Sequence, residues 1–581
     1  MLEIHAYTEV LLAHPMVAAG PIPSAQDPDG VYPYESFAET SRRPVLKSYR
    51  FVTLENDHVK ATICPDLGGK VYSLVHAASG KETLYTIPAV RPVRILPRQF
   101  FIGGGIEVSF PISHSPVQIV PVLYQTMETE DRIFVWCGER ETRFGMHWTV
   151  EYSLGKDDQF LTQRTLFYNP TSEAHPWMSW SNAGVPARAD TEFWFPKGPV
   201  LAHGDRMEML DWEKEGPKRQ CDIERMTGYF WREPDSGAFG VYTPSLGSGL
   251  YHVADRGSMP GIKLWSDGVG KHEAWVTQYS LDGEQCLEIQ AGPIMDQSIK
   301  QELAPGGSHQ HVEFWIPTDR RLDIYQLEVP GVDLPDAGQI PLFGFARSEE
   351  TEIWEQVAEA WRKKSPELLP LPPGADDNRW AISGYEELEE AIRFAAASRP
   401  DQESAWRMQL GAWYAGKDRI DEALAELEAS GEDRAWALAA RLYRRNKGDR
   451  AKAAECYRKI RSQAFALHPQ VTYERDLALS GIGPQTLAER EYWLARTSAL
   501  QDEWLAERRA AWLADAGRFA EAKRLLEGTA FQLVHQRYAR TKLWRRIMEG
   551  MGEPEHEAPA FLGEDDLFEF GAYREYRESI D

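Results

Sequence analysis

Cysteine is scarce in this chain and scattered. Five occur in 581 residues (Cys64, Cys137, Cys221, Cys286 and Cys456), with no Cys-x-x-Cys pair. An odd, dispersed set argues against both a disulfide framework and a zinc knuckle, and makes a reducing cytoplasm the expected compartment. No stretch approaches the roughly 20 apolar residues needed to span a bilayer. The opening Met1-Leu2-Glu3-Ile4-His5 lacks the basic segment and apolar run of a secretory leader. Positive charge is in deficit: 64 Lys and Arg against 89 Asp and Glu give a net charge of −25. Such a field repels phosphate backbones and anionic lipid, so neither a nucleic acid nor a membrane is expected as partner. His-x-x-x-His spacing, a Gly-x-Ser-x-Gly elbow and a phosphate loop ending in Lys-Ser/Thr are all missing. No metal site, serine nucleophile or nucleotide cofactor is therefore expected.

What is present falls into two halves with different periods. From about residue 45 to 320 short β-branched and aromatic runs are broken by Gly, Pro, Asn and Asp. Examples are Phe51–Leu54 and Val59–Ile63 around the turn Glu55-Asn56-Asp57, then Arg132–Trp136, Trp148–Tyr152 and Phe160–Leu166. Many antiparallel strands over such a length imply a large β-sandwich. Residues 326–345, rich in Pro and Gly, read as a linker, and beyond them apolar residues recur at helical spacing. The boundaries expected are an N-terminal arm or strands packing on the sandwich (1–44), the sandwich (45–325), the linker (326–345) and a helical domain (346–581). Within the last, Gly416, Gly448 and Gly517 align as degenerate repeats of tetratricopeptide length, with Ala453 and Ala522 five residues past their glycines. A generic helical bundle is the alternative. Such repeats offer a surface for homodimerisation or for a protein partner.

Ten of the 20 tryptophans fall in the β-half, at positions 136, 148, 177, 180, 194, 212, 231, 265, 275 and 315. Core packing accounts for most of them. Trp180 and Trp265 stand beside polar residues, in Trp180-Ser181-Asn182 and Lys263-Leu264-Trp265-Ser266-Asp267, as a sugar-stacking ring would. Glu107 sits in an apolar run after Gly103-Gly104-Gly105, where an ionised side chain is costly unless paired or functional. Glu288 alternates with Cys286 and Gln290 on one face of a strand, either toward a cleft or on the solvent side of an edge strand. Two carboxylates facing one pocket are what glycosidic cleavage requires. The polar stretch 203–235, with His203, Asp205 and Asp211, reads as a loop-like, solvated insertion.

Asn56–Leu74, with Ala61-Thr62-Ile63-Cys64-Pro65-Asp66-Leu67-Gly68-Gly69-Lys70-Val71, resembles the opening strands of galactose-mutarotase-like domains. Gly104-Gly105-Ile106-Glu107 through His114, Trp180-Ser181-Asn182 and Leu287-Glu288-Ile289-Gln290-Ala291-Gly292 resemble the bacterial family catalogued as domain of unknown function 5107, which typically precedes tetratricopeptide repeats. The resemblance spans roughly residues 40–320. It implies a β-supersandwich and a small carbohydrate ligand. Mutarotases pair a His acid with a late Glu base. Glu288 stands where that Glu would, but the place matching the His reads Met178-Ser179-Trp180-Ser181-Asn182-Ala183, so the acid would come from Glu107 or His114. The expectation is a glycoside hydrolase on short oligosaccharides or glycosides. Glu107 would be the acid, its pKa raised by the apolar strand, and Glu288 the base or nucleophile. His114, Trp180, Asn182, Lys263, Trp265 and Gln290 would hold the sugar. A sugar epimerase, or a non-catalytic carbohydrate-binding module, is the alternative.

Overall fold

The computed structural model describes residues 2–562 apart from 24, 28–29, 33–36, 42, 97–98, 113, 115–118, 205–206, 271–279, 281–282, 337–339, 342–350, 532–536 and 555–558. Asp205, Trp275 and parts of the expected arm and linker therefore lie outside the described residues.

Residues 3–318 form two large stacked sheets. The larger has twelve strands. From one edge it runs through Glu3–Ala13, Val45–Glu55, Val59–Cys64, Lys70–His76, Gly105–Ser109, Trp180–Pro186, Cys286–Gly292, Gly261–Ser266, Thr227–Trp231, Pro199–His203 and Met207–Asp211, with Lys81–Glu82 beside Lys70–His76. The second has eight strands, centred on Arg132–Arg140, His147–Gly155, Leu161–Tyr168, Ser308–Thr318 and Ser248–Ala254. Strand alternation sends Val52, Leu54, Ile106, Val108, Ala183, Val185, Leu287 and Ile289 inward against Val135, Val150, Tyr152, Leu154, Phe167 and Trp315. Asn56 ties the sheets together at one end. Its Oδ1 accepts from the His58 and Val59 amides, while its Nδ2 donates to the carbonyls of Gly155 and Asp158.

One polar cluster interrupts this core. Gln163 Nε2 donates to Ser181 Oγ and to Glu313 Oε1, both at 2.8 Å; Ser181 Oγ donates to the same Oε1 at 2.6 Å; and His252 Nε2 lies 3.0 Å from Glu313 Oε2. Glu313 is fully buried, so the two sheets are joined through a carboxylate whose acceptors are satisfied from both sides.

From residue 352 the chain is helical. Pairs such as Glu403–Gly416 with Ile420–Ser430, Asp433–Arg445 with Arg450–Arg458, and Glu503–Asp515 with Phe519–Glu527 pack in sequence. Ala453 and Ala522 are fully buried where the second helix of a pair meets the first. The glycine alignment needs one correction. Gly448 and Gly517 adopt the left-handed conformation of the turn, but in the first pair Asp418 takes that place, at φ 57°, and Gly416 ends the preceding helix. The landmark of that pair thus sits two residues later, and Ala423, fully buried, becomes its counterpart of Ala453.

The halves touch. The strand Glu3–Ala13 pairs along its length with Val45–Glu55, whereas Ile22 is buried in the helical core and its amide donates to Gln470 Oε1 at 2.8 Å. The Arg140 guanidinium lies 4.1 Å over the Tyr385 ring. No helix among the described residues is long and apolar enough to cross a membrane.

Candidate functional site

The outward face of the twelve-stranded sheet carries the polar residues. Across four neighbouring strands Glu107, Asn182, Gln290 and Lys263 stand opposite one another in register. Two residues along each strand, on the same face, a second row reads Gly105, Gly184, Glu288 and Trp265. It continues to Gly228 and His203. The glycines decide what fits between these rows. A Cβ on Gly184 would lie 2.5 Å from Gly104 Cα, and one on Gly105 would lie 2.5 Å from Lys70 Cε. The glycine run therefore lets the Lys70 side chain lie across the sheet beside the carboxylates.

Polar contacts link the rows. His114 Nδ1 is 2.7 Å from Glu107 Oε1, and Asn182 Nδ2 donates to the same oxygen at 3.2 Å. Gln290 Nε2 donates to Glu288 Oε2 at 2.7 Å, Gln297 Nε2 to Gln290 Oε1 at 2.9 Å, and Lys263 Nζ to Gln297 Oε1 at 2.7 Å. Lys70 Nζ donates to the Ile102 carbonyl at 2.6 Å. Lys263 Nζ also lies 4.6 Å from the Phe230 ring centroid and 4.9 Å from that of Trp265. Asn182 is 3% exposed, and its Oδ1 has no hydrogen-bond partner. A buried acceptor left open among carboxylates and amides is a place for a ligand hydroxyl.

The two carboxylates are driven apart. Burial alone would raise both. At Glu107 the charge and hydrogen bond of His114, then Lys70 and Asn182, outweigh burial and hold the carboxyl below its ordinary range. At Glu288 burial prevails, reinforced by the negative charge of Glu107 and only partly offset by His114, Lys263 and Lys70, so its pKa is raised. Burial would lower His114, but Glu107 overrides it and the imidazolium is favoured. Burial lowers Lys70, and pushes Lys263 down to about 8. His203, stacked on Phe230 with ring centroids 5.0 Å apart, is pushed down to about 3 by burial and is neutral.

These observations correct four expectations. The direction of the shifts is the reverse of that read from the sequence: His114, in the turn beyond the strand, holds the Glu107 carboxyl down, while burial raises Glu288. The edge-strand alternative for Glu288 fails, because Cys286–Gly292 is flanked on both sides. Trp180 is fully buried, its ring packed where Cβ atoms of Gly261 and Gly292 would be, so it floors the site and presents no face to a sugar. Finally, 203–235 is not a loop-like insertion: Met207–Asp211 and Thr227–Trp231 extend the large sheet, and His203 reaches the Glu288 row. Lys70, Phe230 and Gln297 were missed. Lys70 had a signal, a lysine directly after Gly68-Gly69 at the start of a strand, while Gln297 in a loop had none.

A pH prediction follows from the Glu107–His114 pair. Stability from Glu107 is lost as pH falls through its lowered pKa, and stability from His114 is lost as pH rises through its raised pKa. The pair contributes fully between about pH 4.3 and 6.5, the ordinary values of the two groups. Thermal melts of Glu107→Gln are expected to fall furthest below the parent in that window, and histidine NMR should show His114 titrating below its ordinary value once its partner is gone.

Among the described residues, one group brings possible metal ligands within 4.8 Å of one another: Glu173, His175 and Glu386, at the junction of the two halves. His175 Nε2 is already 2.8 Å from Thr171 Oγ1, and Lys417 Nζ lies 3.8 Å from Glu173. These are the partners of a structural polar cluster.

Residues 26–318 match a family described as Domain of unknown function (DUF5107). The chain belongs to this family. A second family, described as a C-terminal domain, matches residues 354–547 of this DUF5107 protein. It is similar, at 50% identity and a TM-score of 0.92, to a TPR-domain containing protein from Parabacteroides distasonis ATCC 8503, covering 97% of this chain and 98% of that one. The helical half is accordingly tetratricopeptide-like, as expected from its repeats. Galactose mutarotase-like proteins from Clostridium acetobutylicum (14% identity, TM-score 0.36) and Lactobacillus casei ATCC 334 (12%, 0.35) each cover 46% of this chain, over 95% and 100% of their own lengths.

Proposed function

We propose that this DUF5107 protein is a carbohydrate-active enzyme that cleaves glycosidic bonds, with Glu288 as proton donor and Glu107 as the base or nucleophile. One observation carries the reading: two carboxylates on one sheet face whose environments push their pKa values in opposite directions, Glu288 up and Glu107 down. Acid and base roles are separated by such a split. Its raised pKa suits Glu288 to protonate a leaving oxygen. Glu107 is held ionised by His114 and can activate water or stabilise positive charge at the anomeric carbon. Asn182, Gln290 and Gln297 supply amides for hydroxyl groups, and Trp265 supplies apolar ring surface.

The test is a screen of aryl glycosides and disaccharides for released sugar. Turnover is expected on at least one, with activity falling as pH rises through the Glu288 pKa and as it falls through that of Glu107. No turnover on any, or full activity in both Glu107→Gln and Glu288→Gln, overturns the reading. The favoured protonation of His114 near Glu288 supports a second reading, anomeric interconversion with His114 as acid and Glu288 as base. Polarimetry on freshly dissolved aldoses separates the two, because interconversion changes rotation without forming a new sugar.

A further inference from the structure

Basic groups outnumber acidic ones at the site: Lys70, His114 and Lys263 face Glu107 and Glu288. Glu107 is committed to His114 at 2.7 Å. Nearby Asp296 is committed to Arg232, also at 2.7 Å. Neither lysine has a carboxylate within ion-pair distance among the described residues. Lys70 Nζ is bonded to a carbonyl and Lys263 Nζ to an amide, and the two residues are only 5% and 4% exposed. A buried ammonium out of contact with a carboxylate is costly, as the lowered pKa values of both lysines show, and an anion entering the site would favour their charged forms.

We propose that the site takes a sugar bearing a negative charge, a uronate or a sugar phosphate, with Lys263 as its principal counter-charge and Lys70 as a supporting one. This rests on the carbohydrate reading above and narrows it. Lys263 lies in register with Gln290, Asn182 and Glu107. A sugar spanning that row would therefore meet the ammonium at one end and Glu107 at the other, with Glu288 beside it in the second row. The aromatic rings of Phe230 and Trp265 lie beside Nζ and limit the directions in which it can donate. A neutral sugar would bond to the same amides and bring no charge to either lysine.

The experiment is calorimetric titration of the full chain carrying Glu288→Gln, which mimics the neutral carboxyl and blocks turnover. The ligands are glucuronate, galacturonate, glucose 6-phosphate and galactose 6-phosphate, each against its neutral hexose. At least one anionic sugar is expected to bind about tenfold or more tighter than its neutral counterpart, a difference of about 1.4 kcal/mol, and the two kinds of acid distinguish a carboxylate from a phosphate ligand. Adding Lys263→Met should abolish the preference, and Lys263→Arg should keep it. Neutral sugars binding as tightly as acidic ones, or a preference unchanged in Lys263→Met, overturns the proposal and leaves the carbohydrate reading standing. No binding of any sugar to either the parent or the Glu288→Gln chain overturns both.

Discussion

Glu288→Gln is expected to lower turnover of a good glycoside substrate about 10³-fold, within the range for loss of a positioned general acid. The amide keeps the size of the side chain and its contact with Gln290, so binding should change little and the loss should appear in kcat rather than KM. A further consequence separates acid catalysis from simple misfolding. Substrates with highly acidic leaving groups, such as dinitrophenyl glycosides, need little protonation and should lose far less activity than glycosides of simple alcohols. Equal loss on both would mean that Glu288 does not deliver the proton.

Glu313→Ala should have the largest effect on stability. It removes the carboxylate that joins Gln163 and Ser181 to His252 between the two sheets, at contacts of 2.6–3.0 Å, and leaves several buried polar groups without partners. Breaking a buried, hydrogen-bonded carboxylate pair costs about 3–5 kcal/mol. In a domain of this size the melting transition of the β-half should fall by roughly 10 °C. Glu313→Gln, which keeps an acceptor toward Ser181, should lose less. Differential scanning calorimetry checks both, and a transition unmoved in Glu313→Ala would show that the cluster does not hold the sheets together.

Period-2 alternation of apolar residues made the sandwich legible, because one face of each strand must be buried: Leu287 and Ile289 turn inward and leave Glu288 and Gln290 outward. Glu107 stood out by a different reading, as an ionisable residue within an apolar run. That reading was silent about what would surround the carboxylate, since His114 and Lys70 arrive from other segments and their effect on charge exceeds that of the apolar run. Hence the shared face of Glu288 and Gln290 was readable in the sequence and the direction of the two pKa shifts was not. Trp180 shows the converse limit. Its polar neighbours suggested an exposed ring, but Gly261 and Gly292 on adjacent strands make room for it to lie buried, and register between distant strands is not a local property of sequence. In the helical half, spacing gave the helix pairs, while Asp418 shows that a left-handed turn position can pass from glycine to a neighbouring residue without disturbing the packing.

The split between the two carboxyl groups is open to direct observation by ¹³C NMR of chain labelled at the glutamate carboxyl carbon, with Glu107→Gln and Glu288→Gln used to assign the two signals. The signal lost in Glu288→Gln should titrate above the ordinary glutamate range, and the signal lost in Glu107→Gln below it. Two signals titrating together at the ordinary value, or in the reverse order, would contradict the assignment of Glu288 as the acid and Glu107 as its ionised partner.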